Sequence, residues 1–137
     1  MKTRRLPHAV LMYREGVIIV EFQDNKDIDV KEAREQIAAC LQLSENIPSP
    51  VIIIDVHPNT IVSPAAREIF SREVPPGIRI SEAIVITNLA KRLIANFYSR
   101  YNRPKNPIKV FANFNDAWKW SIEQRDNYKA EHPGTRV

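Results

Sequence analysis

Hydrophobic and polar positions alternate in a pattern that changes period along the chain. Residues 9 to 14 (AVLMYR) and 17 to 22 (VIIVEF) are rich in β-formers and flank Glu15-Gly16. A two-residue connection containing glycine predicts a hairpin. The polar run QDNKDI at 23 to 28 predicts a loop. From Asp29 the period becomes helical: Val30, Ala33, Ile37, Cys40 and Leu41 recur at intervals of three and four, with Asp29 suited to cap the helix. Ile47-Pro48-Ser49-Pro50 ends that unit. Val51 to Asp55 then runs apolar without alternation, which predicts a central strand covered on both faces.

A short helix is predicted from Pro64 to about Arg72. It opens on Ser63-Pro64 and is stopped by Val74-Pro75-Pro76-Gly77. Residues 82 to 87 (EAIVIT) predict the next buried strand. Asn88 is expected to cap a third helix that turns Leu89, Leu93, Ile94, Phe97 and Tyr101 inward. The segment from Asn102 to Pro107 reads as a stiff turn. Lys109 to Ala112 reads as a last strand. Asn115 or Asp116 is expected to open a final helix carrying Ala117, Trp118, Trp120 and Ile122, with a polar end that frays or continues as weak helix.

The predicted order is β-β-α-β-α-β-α-β-α. Alternating strands and helices imply an α/β fold with a mostly parallel sheet, right-handed crossovers and an antiparallel opening hairpin. The domain is expected over 8–124, with 1–7 and 125–137 as flexible or weakly ordered tails. The 137 residues suit one domain. A chain of this size buries roughly two thirds of its unfolded surface, enough for a core.

Composition narrows the function classes. No apolar run approaches the ~20 residues of a transmembrane helix, and the apolar part of the N-terminus is too short and too broken for a signal peptide. One cysteine, Cys40, leaves no internal disulfide and no multi-cysteine zinc site. A cytoplasmic location is expected. Cys40 lies on or beside the apolar stripe, so a core role is expected for it. The net charge is +4, unevenly spread: residues 15 to 45 hold eight carboxylates, whereas 83 to 115 hold none and carry Lys91, Arg92, Arg100, Arg103, Lys105 and Lys109. A basic region of this kind raises the question of anionic partners.

The three glycines, Gly16, Gly77 and Gly134, form no phosphate-cradling loop, which argues against the usual nucleotide-binding enzymes. His8, His57 and His132 do not pair at a metal-ligand spacing, so neither metal nor cofactor is expected. Asp55 and His57 stand at a strand end. They read either as an acid/base pair or as a loop-holding carboxylate beside a solvated histidine; side chains two apart on a strand point to opposite faces. Ser63 reads as an N-cap, or as a phosphosite at a helix N-terminus. Arg100, Arg103 and Lys105, interleaved with aromatics, read as a solvated basic face or as an anion-binding patch. Nucleic acid is the less favoured anion.

Four phrases, YREGVIIVEF, PSPVIIIDVHPN, ANFYSRYNRPKNPIKVF and NDAWKW, resemble the STAS-like superfamily, the fold of anti-sigma-factor antagonists, and within it a group of small bacterial STAS-like proteins of unknown function. The likeness runs from about residue 9 to 122. It implies a STAS-like fold and a regulatory, protein-binding role. In the antagonists a serine or threonine opening the second helix is phosphorylated by a kinase that is also the anti-sigma factor; Ser63 stands in that place and Thr60 is a second acceptor. Here the stretch is Val62-Ser63-Pro64-Ala65, without the Asp-Ser-Ser-Gly pattern usual in those proteins, and Ser121 follows Trp120 where the smaller group often has leucine. The expected contact surface is the loop 56 to 63 with the second helix: Asp55, His57, Asn59, Ser63 and Arg67, on a non-enzymatic module with a kinase-like or anti-sigma-like protein partner. The alternative is a protein that binds a small anionic ligand or lipid between the third and last helices, near Trp118 and Trp120. A homodimer is compatible with either, since an open sheet edge can pair.

Overall fold

Glu15 and Gly16 both take positive φ (49° and 76°), the backbone a tight hairpin turn between right-twisted strands requires. They join β2 (Ala9–Arg14) to β3 (Val17–Phe22) in antiparallel register, with Leu11 opposite Val20 and Tyr13 opposite Ile18. The computed structural model describes residues 1–101 and 106–137, with side chains through Asn96 and from Asn106 onward.

Around the hairpin stands a six-stranded sheet in the order β1-β2-β3-β5-β7-β8, where β1 is Lys2–Arg5, β5 is Ser49–Ile54, β7 is Arg79–Val85 and β8 is Ile108–Phe111. β1 and β2 are antiparallel to their neighbours; β3, β5, β7 and β8 run parallel. The expected α/β architecture is therefore present, with α1 (Val30–Ser44), α2 (Pro64–Arg72), α3 (Leu89–Tyr101) and α4 (Phe114–Glu131) following the parallel strands.

Strand periodicity sends alternate side chains to two cores. Leu11, Ile18, Val20 and Phe22 face α1 and α2, together with Ala33, Ala39 and Leu43 of α1 and Ala66 and Ile69 of α2. Val17, Ile19, Ile52, Ala83 and Val85 face the other way, onto Ala117 of α4, with Trp118, Trp120 and Ile122 packed against them. The unalternating run of β5 is explained by this division, since Ile53 belongs to the first core and Ile52 to the second.

Several expectations need correcting. Residues 1–7 are not a loose tail: Lys2 to Arg5 pair with Tyr13 to Val10 as an edge strand, and Leu6 packs on the first core. Backbone hydrogen bonds, not apolar alternation, make that strand, so the exposed KTRR carries no pattern. The 125–137 tail is helical to Glu131, and Arg125 reaches back to the Glu15 carbonyl. Asn113, not Asn115 or Asp116, caps α4 by accepting the Asp116 N–H at 2.9 Å. In α1 Ala33 is buried and Val30, Ile37 and Cys40 pack on the first core as expected, but the buried face is wider and takes in Gln36, Ala39, Leu43 and Ser44; Gln36 is drawn in by the buried His8, whose Nε2 lies 3.0 Å from its Oε1.

The third helix departs most. Leu89, Leu93 and Ile94 are 63%, 62% and 54% exposed instead of facing inward. Among the described residues α3 packs against β8, a four-residue edge strand with little surface to cover a helix. Its half-buried positions are Lys91, Arg92 and Ala95. Lys91 reaches the His57 carbonyl at 3.5 Å, which turns the opposite, apolar side outward. Phe97 and Tyr101 lie outside the residues whose side chains are described.

Candidate functional site

The four parallel strands end at one pole of the sheet, and the four helices begin there. Two loops build that pole: 23–29, before α1, and 55–63, between β5 and α2. They are bound to each other. β4 (Asp27–Ile28) pairs in parallel with β6 (Ile61–Val62), a two-stranded bridge with no local pattern of its own. Thr60 is buried; its hydroxyl donates to the Gln23 carbonyl and accepts from the Lys26 N–H at 3.3 Å. Thr60 is thus a fastener between the loops, and its burial removes it as a surface phospho-acceptor.

Ser63 lies where the two helices meet. Its Oγ accepts the Ala66 N–H at 3.0 Å and donates to Asp29 Oδ1 at 2.7 Å. Asp29 is the N-cap of α1, and its own N–H donates to Glu32 Oε1 at 3.1 Å, half of a capping box. Two cap residues thus hold each other, and the N-termini of α1 and α2 share one carboxylate, which suits the partial positive charge of both. At the far end of α2, Arg34 grips Glu73 through two 3.0 Å bonds, which hold the Glu73 carboxyl below its usual range.

Asp55 closes β5, and its N–H donates to the Val85 carbonyl at 2.9 Å. Burial pushes its carboxyl above the ordinary range, and the positive charges of Lys91, Arg67 and His57 oppose that rise. Its Oδ1 is buried without a hydrogen-bond partner among the described residues. Asp55, His57 and Pro58 from the end of β5, with Thr87, Asn88 and Lys91 from the β7–α3 junction, line a cleft of about 220 Å³. Asn88 caps α3 through the Lys91 N–H at 3.0 Å, as its place in the sequence predicts.

The structure thus brings Asp55 and His57 together and adds Thr87, Asn88 and Lys91, which sequence reasoning did not attach to the site. Their arrival depends on β5 pairing with β7, a long-range fact without a local signal. Pro58, Asn59, Ile61, Pro64 and Arg67 form an exposed rim, and Ile61 is 62% exposed. Trp118 and Trp120 do not border this cleft. Trp120 packs on Phe111 with ring centres 5.6 Å apart, and Trp118 lies under the Arg14 guanidinium. The ligand pocket expected between α3 and α4 would draw on residues 97–105, which lie outside the residues whose side chains are described. Arg100, Arg103 and Lys105 lie outside the residues whose side chains are described.

Burial raises the Cys40 thiol to about 12, against a nearby Arg79, so it is a packed side chain and a poor nucleophile. Among the described residues no group of three His, Cys, Asp or Glu side chains is placed to hold a metal ion. No described helix is long and apolar enough to cross a membrane.

Residues 11–124 match the family model described as a domain of unknown function, DUF7793. The chain is also similar in structure to an uncharacterised protein of the DUF3478 family with a SpoIIAA-like fold from Shewanella loihica PV-4. The TM-score is 0.57 at 10% sequence identity, over 88% of this chain and 90% of that one. At that identity the likeness speaks for the fold alone, which is STAS-like, as the sequence phrases implied. No curated protein matches.

Proposed function

The chain belongs to the DUF7793 family, and from that premise and its own geometry we propose that it is a non-enzymatic protein-interaction module that docks a partner on the rim of loop 56–63 and the start of α2. The observation that carries this reading is an exposed Ile61 on a loop that is otherwise firmly held. Ile61 N–H donates to the Lys26 carbonyl and Ser63 N–H to the Ile28 carbonyl, both at 2.9 Å, yet the Ile61 side chain is 62% exposed. A large apolar group fixed in water, flanked by Pro58, Asn59 and Arg67, presents a preformed contact with little ordering cost on binding.

Ser63 gives this rim a means of control. A phosphate on its oxygen would end the hydroxyl donation to Asp29 and set a dianion against that carboxylate. The α1–α2 cap pair would part, and the rim between them would change shape. The STAS-like fold supports this reading by analogy with the phosphorylated helix start of the antagonists.

Tagged protein recovered from its native cells tests the proposal. A stoichiometric partner should accompany the wild type and be lost from Asn59→Arg and Ile61→Glu, with the melting temperature of each variant close to wild type. A partner kept by both folded variants would move the contact elsewhere.

A further inference from the structure

The outward face of α3 has no use in the docking reading. A helix advances 100° per residue, so Leu89, Ala90, Leu93 and Ile94 share one arc, with Lys91 and Arg92 at its two borders. All four residues of the arc are exposed, and the three large ones are each more than half exposed. The helix is therefore amphipathic with its apolar side toward water, inverted from the usual surface helix.

Charge decides what could cover it. Between Glu82 and Asp116 the sequence holds six lysines and arginines and no carboxylate. A second copy of this chain would bring the same positive charge to the same face, which disfavours a symmetric pairing. The arc is the outer side of a helix that packs on β8 at the edge of the sheet. An exposed apolar arc within a region rich in lysine and arginine and free of carboxylates matches a fluid anionic surface, which supplies acyl chains to the arc and phosphates to the basic residues around it without needing shape complementarity.

We infer that α3 is a reversible membrane-surface element that lays Leu89, Leu93 and Ile94 into the headgroup boundary of an anionic bilayer, with the basic 83–115 region drawing the domain to it. The likeness to a peripheral helix extends to its length: thirteen residues span about 20 Å, enough to lie in the plane and too short to cross.

Co-sedimentation of the full chain with vesicles tests this. The protein should sediment with phosphatidylcholine vesicles containing phosphatidylglycerol, stay in solution with phosphatidylcholine alone, and be released by high salt. Leu93→Glu should lower partitioning by about tenfold or more, the effect of withdrawing one leucine from an apolar environment; the position is exposed, so the variant should keep the wild-type circular dichroism. Leu93→Trp should add a fluorescence component that shifts to the blue on anionic vesicles only. Absence of sedimentation, equal binding to neutral vesicles, or binding untouched by Leu93→Glu would overturn the inference. So would an acidic protein that protects α3 while the vesicles do not.

Discussion

Ser63 serves two helices with one oxygen, and this determines how its variants should behave. Ser63→Ala removes the α2 cap bond and the bond to Asp29, and should cost about 1–2 kcal/mol in urea denaturation. Ser63→Asp would be neutral if capping were the whole account, since aspartate is as good an N-cap as serine. Facing Asp29, it should instead destabilise, and Asp29→Asn in the same chain should recover much of the loss. If Ser63→Asp is as stable as wild type on its own, the cap pair does not couple the two helices. Asp55 makes a prediction of opposite sign. Its carboxyl is raised above the ordinary 3.8, so the folded state holds the proton more tightly than the unfolded chain does. The associated stability is full below the ordinary carboxylate pKa and is lost as pH rises through the folded value. Asp55→Asn should therefore be more stable than wild type at pH 7, with the gap closing near pH 3. An asparagine variant less stable than wild type at pH 7, with that deficit shrinking toward pH 3, would show that Lys91 and Arg67 outweigh the burial. The roles of these residues were unequally legible. The N-cap place of Ser63 follows from the Ser-Pro pair. Its bond to Asp29, thirty-four residues away, needed β4 to meet β6.

The elements show where periodicity informs and where it fails. The helix from Pro64 to Arg72 is found at the residues expected, because Ser-Pro and Pro-Pro-Gly mark its ends chemically. The β2–β3 hairpin was equally plain, and its turn can be tested. Gly16 has φ +76°, and an added Cβ would lie 3.4 Å from the Arg125 side chain. Gly16→Val should cost about 1–2 kcal/mol, the strain of a side chain in the left-handed region, read as a lower urea midpoint at unchanged slope. No change in midpoint would mean that the turn relaxes to another type. β1 was missed because a strand held by backbone pairing at an edge needs no apolar face. Deleting residues 1–7 should lower the melting temperature, since β2 would become the edge and Leu6 would leave the core. α3 failed for a different reason: an apolar stripe at helical spacing shows that a helix has two sides, and does not say which one meets the sheet. Lys91, drawn to the end of β5, decides it here.

At the scale of the molecule, two cores hold one sheet between α1 and α2 on one face and α4 on the other, and the ends of the parallel strands carry the Asp55 cleft and the exposed rim around Ile61. The fold class, the parallel order and the strand-end position of Asp55 were legible in the sequence. The cleft, the tied loops and the exposed Ile61 were not, because each depends on which strands become neighbours. The central claim is that one pole of the sheet, around Ile61, is a docking surface. Site-specific photo-crosslinking in living cells tests it most directly, with the reactive residue placed at Ile61 in one protein and at Glu45, at the opposite pole where α1 ends, in another. The account predicts a discrete crosslinked partner from position 61 and none from position 45. No crosslink from position 61, or the same partner captured equally from both poles, would contradict it.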